Sequence, residues 1–136
     1  MKKSKIYFSD KSFSTKNNPG LDIAVSRTLL SGVSANQYPS ILRVYRGIEQ
    51  IAFGPADVRN KGYNAAVSYA KQQKFSTVNR LTGGHAVTFH SGTLVFAWMF
   101  NDLDARLKMH YYFDLVSNFF QNIVNEFGLD CFVGEI

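Results

Sequence analysis

Two adjacent apolar rows near the end of the chain constrain its fold more than any other feature. In both rows, aromatic or aliphatic residues recur at four-residue spacing, which places their side chains on one face of an α-helix. One row contains Tyr111, Leu115, Phe119 and Ile123, and the other contains Tyr112, Val116, Phe120 and Val124. The pattern predicts a long helix that packs its broad apolar face on a sheet. Asp102 or Asp104 is expected to cap the start of this helix, and Gly128 its end.

Weaker patterns before this helix predict the other elements of one α/β domain, a mixed sheet with flanking helices. Helical spacing extends over residues 21–31, and a second helix is expected to end near Gln73. Strand character is found at 40–45, 51–54, 77–81, 86–89 and 94–100. The short link between the first two strands indicates a hairpin.

The strand at 94–100 has no polar face, which is typical of a central strand. Its aromatic residues Phe96, Trp98 and Phe100 are therefore predicted to lie in the core. A last strand is expected to begin at Cys131 and to include Val133. Because it opens so close to Ile136, the domain is expected to be incomplete at its C-terminus.

The net charge of +5 is unevenly placed along the chain. Most of it comes from residues 1–19, which are interpreted as a solvated basic arm in front of a domain at 20–136. The charged residues of this arm are Lys2, Lys3, Lys5, Lys11 and Lys16 against Asp10. The rest of the chain shows no basic stripe of the kind that a phosphate backbone selects, so nucleic-acid binding is not expected.

Cys131, the one cysteine, cannot form an internal disulfide, which favours a reducing, cytoplasmic location. The first ten residues lack the apolar stretch of a secretory signal, and the longest apolar run, 94–100, is too short to span a bilayer. No membrane association is expected.

The most informative segment runs from Arg80 through Gly83 and Gly84 to a strand at 86–89. Two adjacent residues without Cβ atoms allow a backbone to approach a ligand closely and to direct N–H groups at an anion or a carbonyl oxygen. A neighbouring arginine could help to hold a carboxylate or phosphate. By itself, however, a glycine pair between strands is equally well explained as a tight turn.

This segment resembles the signature of the biotin/lipoate protein ligase and octanoyltransferase family. The residues in register with that signature are Arg80, Thr82, Gly83, Gly84, Ala86, Val87, Gly92, Leu94 and Phe96. A second block, from Ile41 to Arg46 and on to Phe53 and Gly54, is similar to the hairpin that precedes the signature in lipoate ligases. The order of elements also resembles that family over roughly residues 20–136.

The resemblance implies a fold like that of class II synthetases and biotin ligases, with the glycine loop around an acyl chain. The acyl- or adenylate-binding residues that it implies are Arg46, Arg80, Thr82, Gly83, Gly84, His85, Ala86, Phe89 and His90. The implied ligand is a lipoyl or octanoyl group, with ATP and Mg²⁺ if the protein is a ligase.

The resemblance also implies the partners of such a protein. The acceptor would be a lysine of a lipoyl carrier domain, in the glycine cleavage H protein or a dehydrogenase E2 component. Acyl carrier protein would be the donor for a transferase. A complementary C-terminal chain or segment is a further expected partner.

Three positions depart from the lipoate ligase pattern, in which a small residue stands at His85, a histidine at Phe89 and an aspartate at His90. Residues Val87 to His90 are instead similar to a Val-Thr-Tyr-His segment of octanoyltransferases. Pro55 and Ala56 stand where the family has a glutamine after its glycine. Ligase and transferase therefore both stay open.

The family's essential lysine, in a Lys-hydrophobic-x-Gly strand, is not found, and neither is the Tyr-Cys-Pro-Gly segment of the cysteine-dependent transferases. Cys131 is interpreted as a small core residue, and no catalytic residue is assigned. His85, His90 and His110 lack the spacing and partners of a metal site. The chain is thus expected to bind an acyl group but to be inactive or incomplete alone; the alternative is a non-catalytic acyl-binding or degenerate relative.

Overall fold

The computed structural model of the chain describes residues 5–134 and shows a mixed α/β fold, as the sequence predicted. Lys2, Lys3 and Ile136 lie outside the described residues. The strands are β1 (Ile6–Ser9), β2 (Ser40–Arg46), β3 (Gln50–Phe53), β4 (Ser76–Asn79), β5 (Val87–Phe89) and β6 (Leu94–Met99). The helices are α1 (Leu21–Ser34), α2 (Pro55–Val58), α3 (Tyr63–Gln72) and α4 (Met109–Glu126).

The first sheet has the order β1-β2-β6. β1 runs parallel to β2, and β6 runs antiparallel to it from Ile41 opposite Met99 to Arg46 opposite Leu94. Ile41, Arg43 and Tyr45 are buried in β2, and the residues between them are half-buried, as expected for a strand with one more deeply covered face. Val33 of α1, Ile41 and Met99 form the buried apolar cluster of this sheet.

The second sheet has the order β4-β3-β5, with β3 parallel to β4 and antiparallel to β5. Ala52 and Phe53 are buried in β3, and Ala70 is buried in α3, which connects β3 to β4. The Phe53 ring meets the Tyr63 ring edge to face, with centroids 5.1 Å apart. This parallel pair brings the ends of β3 and β4 to the same edge of the sheet.

The predicted hairpin between β2 and β3 is wrong, because the two strands pair in different sheets. The link between them is short, but Gly47 donates its N–H to the Thr93 carbonyl at 2.9 Å and the chain then passes into the other sheet. A short link between two apolar runs shows that they are close, and pairing depends on which edges are available.

Two further predictions about strands are wrong. Within the described sheets β6 is an edge strand, with Leu94 64% and Phe96 40% exposed, so its apolar composition does not mark a central position. Trp98 and Phe100 are half-buried, and of this run only Met99 is fully buried. Residues 131–134 form no strand, and Cys131 is a half-buried free thiol in an irregular segment.

The predicted basic arm contains a strand that the sequence analysis missed. β1 is largely exposed, yet its backbone pairs with Ser40 to Arg43 of β2. Ser12 Oγ also donates to the Arg46 carbonyl at 2.7 Å. β1 therefore belongs to the first sheet, and Ser12 is hydrogen-bonded to that sheet. The boundary proposed at residue 19 stays a prediction.

Residues from Asp102 onward form a separate compact unit that contains α4. The helix was predicted correctly, and Gly128 follows its end with a φ of +74°, a conformation that favours glycine. Neither Asp102 nor Asp104 makes a side-chain cap, since the helix starts after Lys108. The packing of α4 on a sheet stays a prediction.

Among residues 5–134, no helix has both the length and the apolar character needed to cross a membrane.

Candidate functional site

The glycine loop, residues 80–86, joins β4 to β5 at the edge of the sheet where β3 and β4 end. Its first residue, Arg80, donates its backbone N–H to the Phe53 carbonyl at 2.9 Å. Residues 81–88 are then exposed, which leaves the loop backbone open to a ligand. The place of the loop follows from the local sequence. Arg80 comes directly after the last residue of β4, and the glycines interrupt regular strand pairing.

The Arg80 side chain folds back over its own loop. Its Nη1 donates to Thr82 Oγ1 at 2.6 Å and its Nη2 donates to the His85 carbonyl at 2.7 Å. Its Nε is buried without a hydrogen-bond acceptor in the described part of the chain. Arg80 thus braces the loop. Because a guanidinium has five N–H donors and these two bonds use only two of them, Arg80 keeps donor capacity for an anionic or carbonyl oxygen.

The two glycines of the loop differ in what they require. Gly84 has a φ of +87°, and a Cβ built on it would lie 3.2 Å from Arg80 Nη2. A Cβ built on Gly83 would meet no atom of the described residues within 4 Å. Gly84 is therefore needed for backbone conformation, whereas Gly83 leaves open space beside the loop.

The remaining loop residues differ in exposure and contacts. Ala86 is exposed, and the His85 side chain is 99% exposed, with its Nδ1 3.9 Å from Asp57 Oδ1. His90 is also exposed, and its Nδ1 accepts the Gly92 N–H at 3.0 Å. Phe89 is half-buried in β5, and a Cβ built on Gly47 would lie 3.0 Å from the Phe89 Cβ. The two histidines therefore make separate local contacts.

Arg46 is the one predicted site residue in the other sheet. It is exposed at the end of β2, opposite Leu94. No hydrogen bond from its side chain to the glycine loop is found among the described residues. The other predicted site residues lie in the continuous segment 80–90. The binding role of all of these residues, Arg46 included, stays a prediction.

A buried ion pair between Asp22 of α1 and Arg43 of β2 was not predicted from the sequence. Both side chains are essentially inaccessible, at 1% and 0% exposed. Arg43 Nη1 also donates to the Asp22 carbonyl at 2.9 Å and to Ser26 Oγ at 2.8 Å, and its guanidinium lies 4.2 Å from the Tyr45 ring centroid. A charged residue inside an alternating apolar strand was the available signal for it.

Two electrostatic effects accompany this pair. Burial raises the pKa of Asp22, but hydrogen bonds from the Ser14 backbone and from Arg43 outweigh it, so that the pKa lies below its usual value. Burial is also the main reason that the pKa of Tyr45 is raised. The Asp22 carboxylate is therefore held as an anion that neutralises Arg43 and fixes α1 on β2.

An apolar cleft of about 310 Å³ lies beside the same pair. Its lining comes from the segment before α1, from α1, from the link between α1 and β2, and from β2, and comprises Tyr7, Ser9, Phe13, Val25, Leu29, Tyr38, Ile41 and Arg43. None of the predicted acyl-binding residues lines this cleft. No group of three or more metal-ligating side chains is found among residues 5–134.

The model of the lipoyl protein ligase A/B catalytic domain matches residues 18–135. The chain belongs to this family. The glycine loop, β5 and β6 all fall within the matched part, so the resemblance seen in the sequence is confirmed.

A relative and two solved structures show how much of a family protein the chain covers. The octanoyl-[GcvH]:protein N-octanoyltransferase of Geobacillus kaustophilus is 23% identical over 113 residues, which are 83% of this chain and 40% of that protein. A candidate lipoate protein ligase from T. acidophilum, solved with bound lipoic acid, has a TM-score of 0.73 at 22% identity, over 98% of this chain and 52% of that one.

Lipoate-protein ligase A bound with ATP has a TM-score of 0.64 at 23% identity, over 98% of this chain and 50% of that one. At such identities the structures show a shared fold, that of lipoate ligases. The chain spans about half the length of these relatives.

Proposed function

We propose that this chain is the acyl-binding part of a lipoate ligase or octanoyltransferase catalytic domain. The observation that carries the proposal is the glycine loop, in which an exposed backbone with Gly84 at φ +87° is braced by Arg80. The family match over residues 18–135 supports it. The ligand would be a lipoyl or octanoyl group, with its carboxyl or thioester oxygen near the loop N–H groups and Arg80.

The acceptor would be a lysine of a carrier domain. The name of the transferase relative, in which octanoyl-[GcvH] is the acyl donor, supports the glycine cleavage H protein as a partner. A dehydrogenase E2 domain as acceptor, acyl carrier protein as donor, and a cytoplasmic location belong to the same proposal. If the reaction is ATP-dependent, the loop amides and the Arg80 guanidinium, whose Nη atoms lie at Thr82 and at the His85 carbonyl, would hold the adenylate phosphate. ATP would supply the activation of the acyl carboxylate.

Binding is tested by titrating the purified chain with octanoate and lipoate in a calorimeter, and in parallel with lipoyl and octanoyl adenylates. We expect saturable binding of at least one acyl ligand and none of acetate, which lacks the apolar chain. Tighter binding of the adenylate than of the free acid would favour a ligase, whereas transfer from octanoyl carrier protein would favour a transferase. Failure of every acyl ligand to bind would overturn the proposal.

A further inference from the structure

The structure also shows what holds the glycine loop in place. Gly54 is the buried residue between β3 and α2, and a Cβ built on it would lie 2.4 Å from the carbonyl oxygen of Gly84. Ordinary contacts to a Cβ begin at 3.4 Å. Because the obstructing atom belongs to the backbone, it cannot rotate out of the way. Glycine at position 54 therefore lets the loop lie directly against the end of β3.

Asp57 of α2 contacts both partners of this close approach, the Gly54 backbone and the loop residue His85. Its Oδ2 accepts the Gly54 N–H at 2.8 Å, and its Oδ1 lies 3.9 Å from Nδ1 of His85, the residue that follows Gly84. The Asp57 side chain is only 20% exposed. One carboxylate thus orients the Gly54 backbone and faces the loop.

The loop is held to β3 at two points. Arg80 N–H donates to the Phe53 carbonyl at 2.9 Å, and four residues later the Gly84 carbonyl lies on Gly54. The Arg80 side chain connects the start of the loop to the residue after Gly84, because it donates to the His85 carbonyl at 2.7 Å. Movement of the loop away from Gly54 would therefore also displace Arg80.

We propose that Gly54 and Asp57 are positioning residues, which form a seat that sets the Gly84 and His85 backbone relative to Arg80. The choice of acyl ligand rests on the proposed function, whereas the seat does not. Relieving a 2.4 Å contact requires a displacement of about 1 Å, and a loop that is no longer preorganised loses affinity because it must be ordered on binding. We expect the affinity for the ligand to fall on the order of tenfold or more. For comparison, a misplacement of about 1 Å can lower the rate of an enzyme reaction by about 100-fold.

The experiment compares Gly54→Ala with Gly62→Ala. Gly62 is exposed, has a φ of −79°, and would bring a Cβ only to 3.4 Å from the Asn60 side chain, so it is a glycine-to-alanine control at an ordinary position. Titration with octanoate and lipoate should show at least about tenfold weaker binding for Gly54→Ala and an affinity within about twofold of the parent for Gly62→Ala.

A second pair of variants separates positioning from folding. Asp57→Asn retains a side-chain oxygen that can accept the Gly54 N–H, whereas Asp57→Ala removes it. We expect Asp57→Asn to keep most of the affinity and Asp57→Ala to lose it, with both variants cooperatively folded in thermal melts. If Gly54→Ala fails to fold, the comparison of the two Asp57 variants tests the inference instead. Equal affinities of Asp57→Asn and Asp57→Ala for the acyl ligand would then overturn the positioning role.

A readout without ligand distinguishes failure of the seat from failure of the acyl assignment. The backbone amide resonances of Gly84 and His85 should shift in Gly54→Ala and in Asp57→Ala but stay in place in Gly62→Ala. Unchanged resonances in both seat variants would overturn the inference. Shifted resonances in a protein that binds no acyl ligand would retain the seat and overturn the proposed function.

Discussion

At the residue scale, the site depends on which glycine has the left-handed backbone. Gly83 and Gly84 are equivalent in the sequence motif, but only Gly84 has a positive φ and a side-chain neighbour that a Cβ would meet at 3.2 Å. The motif could therefore be recognised from sequence, whereas the separate requirements of its two glycines could not. Backbone conformation at such a pair depends on the pairing of the flanking strands.

Gly84→Val should abolish acyl binding and leave the fold largely intact. A β-branched residue at φ +87° is strained, and its Cβ would press on Arg80, which holds the loop. Gly128→Val is the matched control, because Gly128 also has a positive φ, +74°, and lies after α4, but a Cβ built on it would meet no atom of residues 5–134 within 4 Å. Calorimetry should show binding in the control alone. Equal affinity of Gly84→Val and the parent would exclude this loop as the acyl site.

Asp22→Asn should destabilise the protein by about 3–5 kcal/mol at neutral pH, because it leaves the buried Arg43 without its counter-charge. The pKa of Asp22 is lowered in the folded state from its ordinary value of 3.8. Its contribution to stability is therefore present above that value and is lost as pH falls through the folded value.

Urea denaturation at pH 7 and at pH 3 measures both effects. The variant should lose less stability than the parent on acidification, and Asp114→Asn, which removes an exposed carboxylate, should behave like the parent. A parent-like midpoint for Asp22→Asn at pH 7 would contradict the role of the ion pair.

At the element scale, α4 was predicted well because its signal is a local repetition of spacing, and its start was not. Asp102 does not cap the helix; its carboxylate accepts hydrogen bonds from the Tyr112 hydroxyl and from Lys108 Nζ, the latter at 2.9 Å. The helix begins at Met109, within this cluster, whose members are up to ten residues apart. Sequence spacing alone did not identify it.

The hydrogen bond from Tyr112, followed by that from Lys108, lowers the pKa of Asp102 to about 2. Since this pKa is below the ordinary value of 3.8, the cluster is fully present above pH 4 and is lost only as pH falls toward 2. We expect the amide protons of the first turns of α4 to stay protected at pH 3 in the parent. Asp102→Ala should expose them at pH 7 as well as at pH 3, whereas Asp104→Ala should not. Equal protection in both variants would contradict the cluster's role.

At the scale of the whole molecule, the chain covers 50–52% of two lipoate ligase structures that share its fold. Among residues 5–134 no lysine lies in a strand: Lys5, Lys11, Lys16, Lys61 and Lys74 are in loops or turns, Lys71 is in α3, and Lys108 precedes α4. Activation of a carboxylate by ATP develops negative charge that a positioned cation would stabilise. The described residues provide Arg80 near the loop for this purpose.

We therefore predict that the isolated chain does not complete acyl transfer. It is incubated with a lipoyl-domain acceptor plus lipoate and ATP, and separately with octanoyl carrier protein, and the acceptor mass is then measured. No multiple-turnover addition is expected. Addition that begins when the second half of a family domain is supplied as a separate polypeptide would support a divided site. Full turnover by the chain alone would contradict the prediction.

The sequence by itself determined the features that are written in short stretches of chain. These are the helical spacing of α1 and α4, the mixed α/β class, the glycine loop with Arg80, and the family. Each depends on residues that are near one another in sequence, so spacing and residue type suffice to identify them.

Tertiary structure decided which strands pair, and it placed β2 and β3 in separate sheets and β6 at an edge. It also brought Asp22 to Arg43 and Gly54 to Gly84, contacts whose partners are 21 and 30 residues apart. Such contacts arise from the arrangement of whole elements, because a residue's local pattern carries no information about the distant backbone that it will meet.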